Sequence, residues 1–306
     1  MRTLPTIDPP FGNARAADLV ETILVPRTRD LGGGLTVGRV LPSAHRQMVG
    51  PFILLDNMAP ANILLTEEFD VRPHPHIGLA TVTYIHSGEI VHRDSIGSLQ
   101  TIMPGEVNWM TAGRGIAHSE RAPEGARNTV RRIAGFQTWV ALPRAHEEAA
   151  PSFVHRGRDE LPLIEGNGAS VHLAVGSLYG ERAPVPTFSE MFFADVTLSA
   201  GARLPVDAEH EERGAFLVEG EIEIGGEPYQ PGRMIVFRPG EAVALTARTP
   251  ARLVLLGGAT MDGPRHIWWN FVSSSKDRIE AAKNDWKLGR FDKVFGDEAE
   301  FIPLPA

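Results

Sequence analysis

The sequence predicts an all-β protein with two barrel- or sandwich-like domains in tandem and a short C-terminal helix. Three observations support this prediction. Short apolar runs alternate with turn segments along most of the chain, which contains 31 Gly and 24 Pro. Its 306 residues are enough for two domains, each with its own core. Only after Ser274 does the apolar pattern become helical.

The composition narrows the class of protein. With 42% hydrophobic and 22% charged residues, the chain is typical of soluble globular proteins. The absence of Cys excludes disulfides, thiolate metal ligands and Cys nucleophiles. A formal net charge of −8 argues against direct binding of nucleic acid. Residues 1–17 lack the apolar core of a signal peptide and no apolar run is long enough to span a membrane, so we expect a cytoplasmic protein without membrane association.

The first predicted domain comprises residues 1–150 and surrounds a histidine-rich segment. Its strands are predicted from apolar or alternating runs that end at turn residues. They lie at 35–41, 51–56, 81–86, 89–94, 99–103, 107–111 and 136–143.

The second predicted domain, residues 151–262, repeats the same pattern of short apolar runs separated by turn residues. Its strands are expected at 170–177, 191–198, 214–218, 221–224, 234–237 and 251–256. A metal-binding barrel needs a pair of ligands on one strand and further ligands on a later strand. In this domain the first position offers a single histidine, His210, and the later segment 242–249 contains no His or carboxylate. We therefore interpret this domain as a degenerate barrel kept for packing, with a site formed by His210 and Glu212 as the alternative.

The remaining segment, residues 263–306, is predicted to contain a helix that packs back on the barrels. Ser274 followed by Asp277 is typical of a capping box, with aspartate in place of the usual glutamate. Ile279, Ala282 and Trp286 then form a narrow apolar stripe, and Gly at position 289 is typical of a helix end.

Two short motifs bracket the central strands of the first domain and predict a metal site. His74 and His76 form a His-x-His pair, and His118 and Glu120 form a His-x-Glu pair. Side chains two residues apart on a strand point to the same face, so each motif can direct two donor groups at one point. Three imidazoles and one carboxylate suit a divalent first-row ion, and five- or six-fold coordination would leave one or two positions open.

Ordinary packed or surface histidines are the alternative interpretation, because the chain contains 11 His. His86 and His92 stand alone on predicted strands and are interpreted as packed or solvated residues, with a role for His92 behind the metal ligands as the alternative. The other histidines have no partner at ligand spacing and are interpreted as structural; they are His45, His146, His155, His172, His210 and His266.

Several segments of the first domain resemble the signature of the pirin family, which belongs to the cupin superfamily. The segments that carry this resemblance are HPHIG at 74–78, TVTY at 81–84, HRDS at 92–95, WMTAGRGIAHSE at 109–120 and FQTWVALP at 136–143. The resemblance implies two cupin-type β-barrel (jelly-roll) domains in tandem.

By position, the resemblance places the family's iron ligands on His74, His76, His118 and Glu120. The general cupin pattern has a ligand glutamate four or five residues after the His-x-His pair, where this chain has Ala80 and Thr81. Glu120 is then the only carboxylate of the set.

The resemblance also implies two functions. Pirins are similar to quercetin 2,3-dioxygenases, which implies a metal-dependent oxidoreductase acting on a small aromatic flavonol, with Glu120 as ligand and catalytic base. The alternative is a redox-sensing module or transcriptional co-regulator that binds a protein partner without turnover. A metal with a purely structural role is the third hypothesis. The expected cofactor is one divalent ion per chain, Fe(II) on the family's precedent, while the donor set also accepts Mn, Co, Ni, Cu or Zn.

Overall fold

The structure is a computed structural model that describes residues 2–4, 15–30, 36–64, 71–124 and 130–305. Strands dominate it, and the prediction of an all-β fold with a short C-terminal helix is confirmed. Residue 35, the predicted start of the first strand, lies outside the described residues. No helix in the described ranges is long and apolar enough to cross a membrane.

In the first half of the chain the strands are β1 (Arg2–Thr3), β2 (Val20–Leu24), β3 (Arg27–Asp30), β4 (Thr36–Leu41), β5 (Phe52–Leu64), β6 (Val71–His76), β7 (Leu79–Ser87), β8 (Ile90–Asp94), β9 (Leu99–Ile102), β10 (Val107–Thr111), β11 (Ile116–Arg121), β12 (Val130–Ala141) and β13 (Ser152–Arg156). In the second half they are β14 (Leu163–Gly166), β15 (Ala169–Leu178), β16 (Glu181–Arg182), β17 (Met191–Leu198), β18 (Arg203–Val206), β19 (Glu212–Glu219), β20 (Ile222–Ile224), β21 (Glu227–Tyr229), β22 (Arg233–Phe237), β23 (Val243–Ala247), β24 (Ala251–Gly258), β25 (His266–Trp268) and β26 (Phe271–Ser273). The helices are α1 (Ala16–Leu19) and α2 (Lys276–Lys287), with 3₁₀ turns at Arg144–His146 and Arg158–Glu160.

The chain divides into two compact units that are interleaved in sequence. One unit, which we call the histidine unit, consists of 27–39, 53–158 and 261–306. The second unit consists of 1–26, 40–52 and 159–260. The division into consecutive segments 1–150, 151–262 and 263–306 stays a prediction. In the second unit β2 pairs with the edge of β22, which buries Leu24 opposite Met234.

The histidine unit contains a large and a small sheet that pack face to face. One has the strand order β13-β10-β7-β12-β5-β4-β3, and the other is an antiparallel sheet with the order β6-β11-β8-β9. Side chains of both sheets share a core cluster in which Ile85 of β7 and Ile133 of β12 are grouped with Ile102 of β9. This packing leaves the inner faces of β6 and β11 turned toward the first sheet.

The second unit also contains a large and a small sheet. The large sheet has the order β1-β14-β15-β17-β24-β19-β22-β2, with β16 attached to β15, and the small one has the order β18-β23-β20-β21. The strand predicted at 191–198 is observed with the same bounds as β17, and nearly all of its residues are buried. Such a strand stabilises the unit through its apolar burial, roughly 1.5–3 kcal/mol for each fully buried large side chain.

Two strands, β13 and β14, lie between residues 143 and 170, where no strand was predicted from the sequence. The first of them, Ser152–Arg156, pairs antiparallel with β10, opposite Val107–Thr111. All five residues of β13 are partly buried, so the run lacks the alternation that identifies a strand from sequence.

The C-terminal helix α2 begins one residue later than the sequence suggests. Its N-cap is Ser275, whose hydroxyl accepts a hydrogen bond from the backbone N–H of Arg278. Ser274 is unavailable as a cap because its hydroxyl and its backbone N–H both donate to the carboxylate of Glu147. The predicted stripe does face inward: Ile279 and Ala282 are buried in the histidine unit, and Trp286 packs against the same cluster.

Candidate metal centre

The edge position of β6 explains why prolines can alternate with the first pair of histidines. His74 and His76 lie on β6, which is an edge strand of its sheet, and Pro73 and Pro75 alternate with them. Proline has no N–H to donate, so within a sheet it is tolerated mainly at an edge. His118 on β11 pairs directly opposite His74, which brings the two motifs together.

Two glycines close the turns beside the histidine strands. Gly78 follows β6 with φ +68°, and a Cβ there would lie 2.0 Å from the carbonyl oxygen of Val272. Gly113 precedes β11 with φ +52°, and a Cβ there would lie 1.9 Å from the carbonyl oxygen of Ala149. Both positions therefore require glycine. The N–H of Gly78 donates to the carbonyl of Gly113 at 2.8 Å, which links the two turns.

The structure brings three of the four predicted ligands together. One donor nitrogen from each of His74, His76 and His118 lies within 4.8 Å of the others. The Nε2 atoms of His76 and His118 are 3.1 Å apart. Two nitrogens bound at about 2.1 Å to one ion are separated by about 3.0 Å at a right angle and about 3.4 Å at a tetrahedral angle. The observed separation therefore fits two ligands of a common metal.

Burial keeps the three imidazoles neutral. His76 and His118 are 1% exposed and His74 is 7% exposed. Desolvation lowers the pKa of His74 to about 4 and holds the pKa values of His76 and His118 well below the ordinary value, with neighbouring imidazoles adding to the effect. A neutral imidazole has one unprotonated nitrogen, which is the form that binds a metal.

Backbone carbonyls orient two of the three rings. Nδ1 of His74 donates to the carbonyl of Arg72 at 2.9 Å, and Nδ1 of His76 donates to the carbonyl of Asn270 at 3.1 Å. Each neutral ring then has its lone pair on Nε2, as is typical of metal-binding histidines. Nδ1 of His118 is buried without a hydrogen-bond partner among the described residues. The ring of His118 is held by packing, 4.4 Å between centroids from His74.

Glu120, the fourth predicted ligand, is not part of the group of converging donor atoms. On β11, Glu120 lies two residues after His118 and pairs with β8 in regular register, while the pairing with β6 shifts by one extra residue of β6 between Val71 and His74. Burial raises the pKa of the Glu120 carboxyl group. Its Oε1 lies 3.3 Å from the hydroxyl of Thr83, which is also 2.8 Å from the side-chain amide of Gln137. The Thr83 hydroxyl has a single proton, and Oε1 of Gln137 and Oε1 of Glu120 are both in position to accept it. The role of Glu120 as a ligand stays a prediction.

A buried His–Asp pair lies beside the trio of His74, His76 and His118. This pair was not predicted from the sequence. Nε2 of His92 is 3.1 Å from Oδ2 of Asp94, and the ring stacks on Phe153 at 4.4 Å. Burial acts to raise the pKa of Asp94, but hydrogen bonds from His92 and Ser98 outweigh it, and the pKa lies below its ordinary value. His92 also pairs across the strands with Glu120. The i, i+2 spacing of His92 and Asp94 is the sequence feature from which this pair could have been predicted.

No comparable centre lies among the described residues of the second unit. Nε2 of His210 donates to the carbonyl of Ser177 at 2.9 Å, and its ring packs on Phe192. Glu212 forms an ion pair with Arg46 at 2.8 Å and accepts the N–H of Gly50 at 2.7 Å. Both residues of the alternative site are thus engaged elsewhere. Among the described residues, the trio is the only group of three potential ligands whose donor atoms all lie within 4.8 Å of one another.

Comparison with known proteins identifies the class of this fold. The family model Pirin matches residues 34–140, and the model Pirin C-terminal cupin domain matches residues 193–292. Together with the strand-rich units described above, these matches define a bicupin, a protein of two cupin barrels in tandem, with a candidate metal centre in one of them. The chain belongs to the pirin family.

Individual relatives and solved structures match most of the chain. A pirin-like protein of Caulobacter vibrioides is 49% identical over 290 residues, which cover 94% of this chain and 100% of the relative. The crystal structure of a quercetin 2,3-dioxygenase from Acinetobacter baumannii has a TM-score of 0.86 at 29% identity, covering 95% of this chain and 96% of that one. A bacterial pirin of Escherichia coli, solved in complex with nickel(II), shares the fold with a TM-score of 0.61 at 17% identity, covering 78% of this chain and 99% of that one.

Proposed function

We propose that this protein is a metal-dependent dioxygenase of the quercetin 2,3-dioxygenase type, acting on flavonol-like aromatic substrates. The observation that carries the proposal is the trio of buried, neutral imidazoles beside a carboxyl group whose pKa is raised. Similarity over the full chain to a quercetin 2,3-dioxygenase of Acinetobacter baumannii supports the substrate class.

The residues that would hold the metal are His74, His76 and His118, with Glu120 as the fourth ligand. We propose Fe(II) as the ion, on the family's precedent, while the donor set also accepts Mn, Co, Ni, Cu and Zn. When bound, the metal supplies Lewis acidity toward a substrate hydroxyl and a redox partner for O₂.

The chain's own contribution to the reaction is to accept a proton and to limit water. Glu120 takes the proton of the flavonol 3-hydroxyl onto its carboxylate, and the raised pKa makes this group a stronger base than an ordinary glutamate. Thr83 positions the carboxylate through its hydroxyl. The indole of Trp139 packs edge-on against the ring of His76 at 5.2 Å and forms an apolar wall beside the trio.

The substitution Glu120→Gln tests this proposal. It keeps the size of the side chain and an oxygen donor but removes the charge and most of the basicity. We expect quercetin turnover per bound metal ion to fall by about 10²–10⁴-fold, the usual contribution of a general base. The measurement is O₂ consumption normalised to metal content, with anaerobic titration of quercetin followed by absorbance. Glu280→Gln, at an exposed site on α2, is the matched control and should behave as wild type.

Two results would contradict the proposal. Equal turnover per metal ion in Glu120→Gln and wild type would limit Glu120 to a ligand at most. If the metal-loaded wild-type protein neither binds nor oxidises flavonols, the dioxygenase function is wrong and the alternative, a metal-dependent module that binds a protein partner, takes its place.

A further inference from the structure

A separate cavity of about 220 Å³ lies in the histidine unit, behind the sheet that carries the imidazoles. The end of α2 and the chain that follows it enclose the cavity, together with Pro73 of β6 and Ala117 of β11. Each of these two residues immediately precedes a histidine of the trio. Because neighbouring side chains on a strand point to opposite faces, the cavity and the candidate metal centre lie on opposite sides of the sheet.

Three aromatic rings form one side of this cavity. The ring centroids of Trp286 and Phe291 are 5.6 Å apart at 81°, and those of Trp286 and Phe301 are 5.7 Å apart at 87°. The indole is held in place because its Nε1–H donates to the carbonyl of Ile302 at 3.0 Å. Phe291 is supported by stacking on the fully buried ring of Phe271. Phe301 is 58% exposed, so a large part of its surface is available to a ligand.

The remaining lining is strongly acidic. It contains four carboxylates and one ammonium group; they are Asp292, Asp297, Glu298, Glu300 and Lys293. Arg121 pairs with Asp297 at 2.7 Å and with Glu300 at 2.8 Å. Asp292 forms no hydrogen bond or ion pair with any described residue, and Glu298 accepts a bond only from the backbone N–H of Gly296. Among the described residues, these two carboxylates beside the aromatic rings have no cationic partner.

We propose that this aromatic, acidic cavity binds a small organic cation with an alkylated ammonium group. The faces of aromatic rings carry negative electrostatic potential and attract such a cation, and the carboxylates add to the attraction. A neutral ligand would leave the carboxylates unused, an anion would be repelled, and a bare metal ion would gain little from the rings. The volume lies below the range of about 300–1,000 Å³ that drug-sized ligands fill, which favours a compact head group.

The same segment already contains one interaction of this kind. Nζ of Lys283 lies 4.4 Å from the ring centroid of Trp268, an intramolecular cation–π contact. The proposed ligand would make the corresponding contact with Trp286 on the side of α2 that borders the cavity. The inference does not depend on the reaction proposed for the metal centre.

Calorimetric titration of the full-length, metal-loaded protein with choline chloride tests the proposal. The comparison ligand is the uncharged analogue of choline in which carbon replaces nitrogen, since it has the same shape. We expect saturable binding of choline, at least about tenfold weaker binding of the neutral analogue, and weaker choline binding at high salt because exposed charges are screened.

Variants locate the site. Phe301→Leu and Asp292→Asn should each weaken choline binding about three- to thirty-fold while leaving metal content unchanged. Phe295→Leu is the matched control, because Phe295 is 73% exposed on the same segment and does not line the cavity. The proposal is overturned if choline gives no saturable heat, if the neutral analogue binds equally well, or if the two variants bind choline as tightly as the control does.

Discussion

Among the three imidazoles, His118 depends most on its neighbours for orientation. His74 and His76 are each anchored by a backbone carbonyl, whereas Nδ1 of His118 has no hydrogen-bond partner among the described residues. A bound ion would supply the directional interaction that this ring lacks. The trio is thus a pair of fixed donors and a third that packing holds in place.

Replacing His118 should therefore remove the metal. We expect His118→Ala to lose most of its metal on dialysis, because two imidazoles remain from the converging group. The extra melting temperature that metal gives to wild type should disappear, since only a bound ligand stabilises the folded state by mass action. His86→Ala is the control, because His86 packs on Tyr84 and Phe136 and does not belong to the trio. An equal melting shift on chelation in wild type and His118→Ala would contradict the assignment.

The lowered pKa values of the trio predict how the metal-free protein responds to acid. His74 has a pKa of about 4 in the folded state against 6.5 for an ordinary histidine. Between these values the unfolded chain binds the proton and the folded chain does not, so the free energy of unfolding decreases as the pH falls. The slope is up to about 1.4 kcal/mol per pH unit for each such imidazole.

Glu120 contributes with the opposite sign, because a raised pKa lets the folded state keep a proton that the unfolded state releases. The comparison is therefore made between variants. The measurement is the denaturant midpoint of the metal-free wild type and of metal-free His118→Ala between pH 7 and pH 4. We expect the midpoint to change less with pH in the variant than in wild type. Identical slopes would mean that His118 titrates normally in the folded protein.

At the scale of elements, short apolar runs bounded by turn residues predict central strands better than edge strands. The runs at 107–111 and 191–198 have the same bounds in sequence and structure. β13 was missed because none of its residues is fully buried or fully exposed. The hairpin of β25 and β26 was not predicted either.

This hairpin reaches the candidate metal centre through backbone atoms. The carbonyl of Asn270 accepts the hydrogen bond that orients His76, and the carbonyl of Val272 lies against Gly78. Every residue has a backbone carbonyl, so no side-chain pattern could have shown that this one supports a ligand. The sequence therefore identified the histidines but not what holds them.

The substitution Gly78→Ala tests this arrangement. The new Cβ would lie 2.0 Å from the carbonyl oxygen of Val272, so the hairpin or the turn after β6 must move. We expect loss of stability and weaker metal retention, because the shift changes the bond that orients His76. Gly97→Ala is the matched control: its φ is +93°, but no atom lies within 4 Å of the new Cβ. It should cost only the strain of a left-handed residue, about 1–2 kcal/mol, and retain the metal. Equal metal affinity in the two variants would contradict this role of the hairpin.

At the scale of the whole molecule, the sequence predicted the class of fold but not the path of the chain. Val20–Leu24 completes a sheet of the second unit by pairing with β22, more than two hundred residues away. Pairings at such separation depend on which strand edges remain open in the folded units, and local patterns do not contain that information. Likewise, the sequence motif did not show that the carboxylate of Glu120 lies outside the group of converging imidazoles.

The two units also differ in what they can bind, which leads to a prediction for the metal content of the chain. In the second unit, His210 donates to a backbone carbonyl and Glu212 is paired with Arg46. To bind an ion there, both residues would have to give up these partners, and Arg46 would lose one of its ion-pair partners. We therefore expect metal analysis of purified protein to saturate near one ion per chain. His210→Ala should leave that value unchanged, whereas His74→Ala should lower it toward zero. Two tightly bound ions per chain, or loss of one on changing His210, would show that the second barrel is a working site.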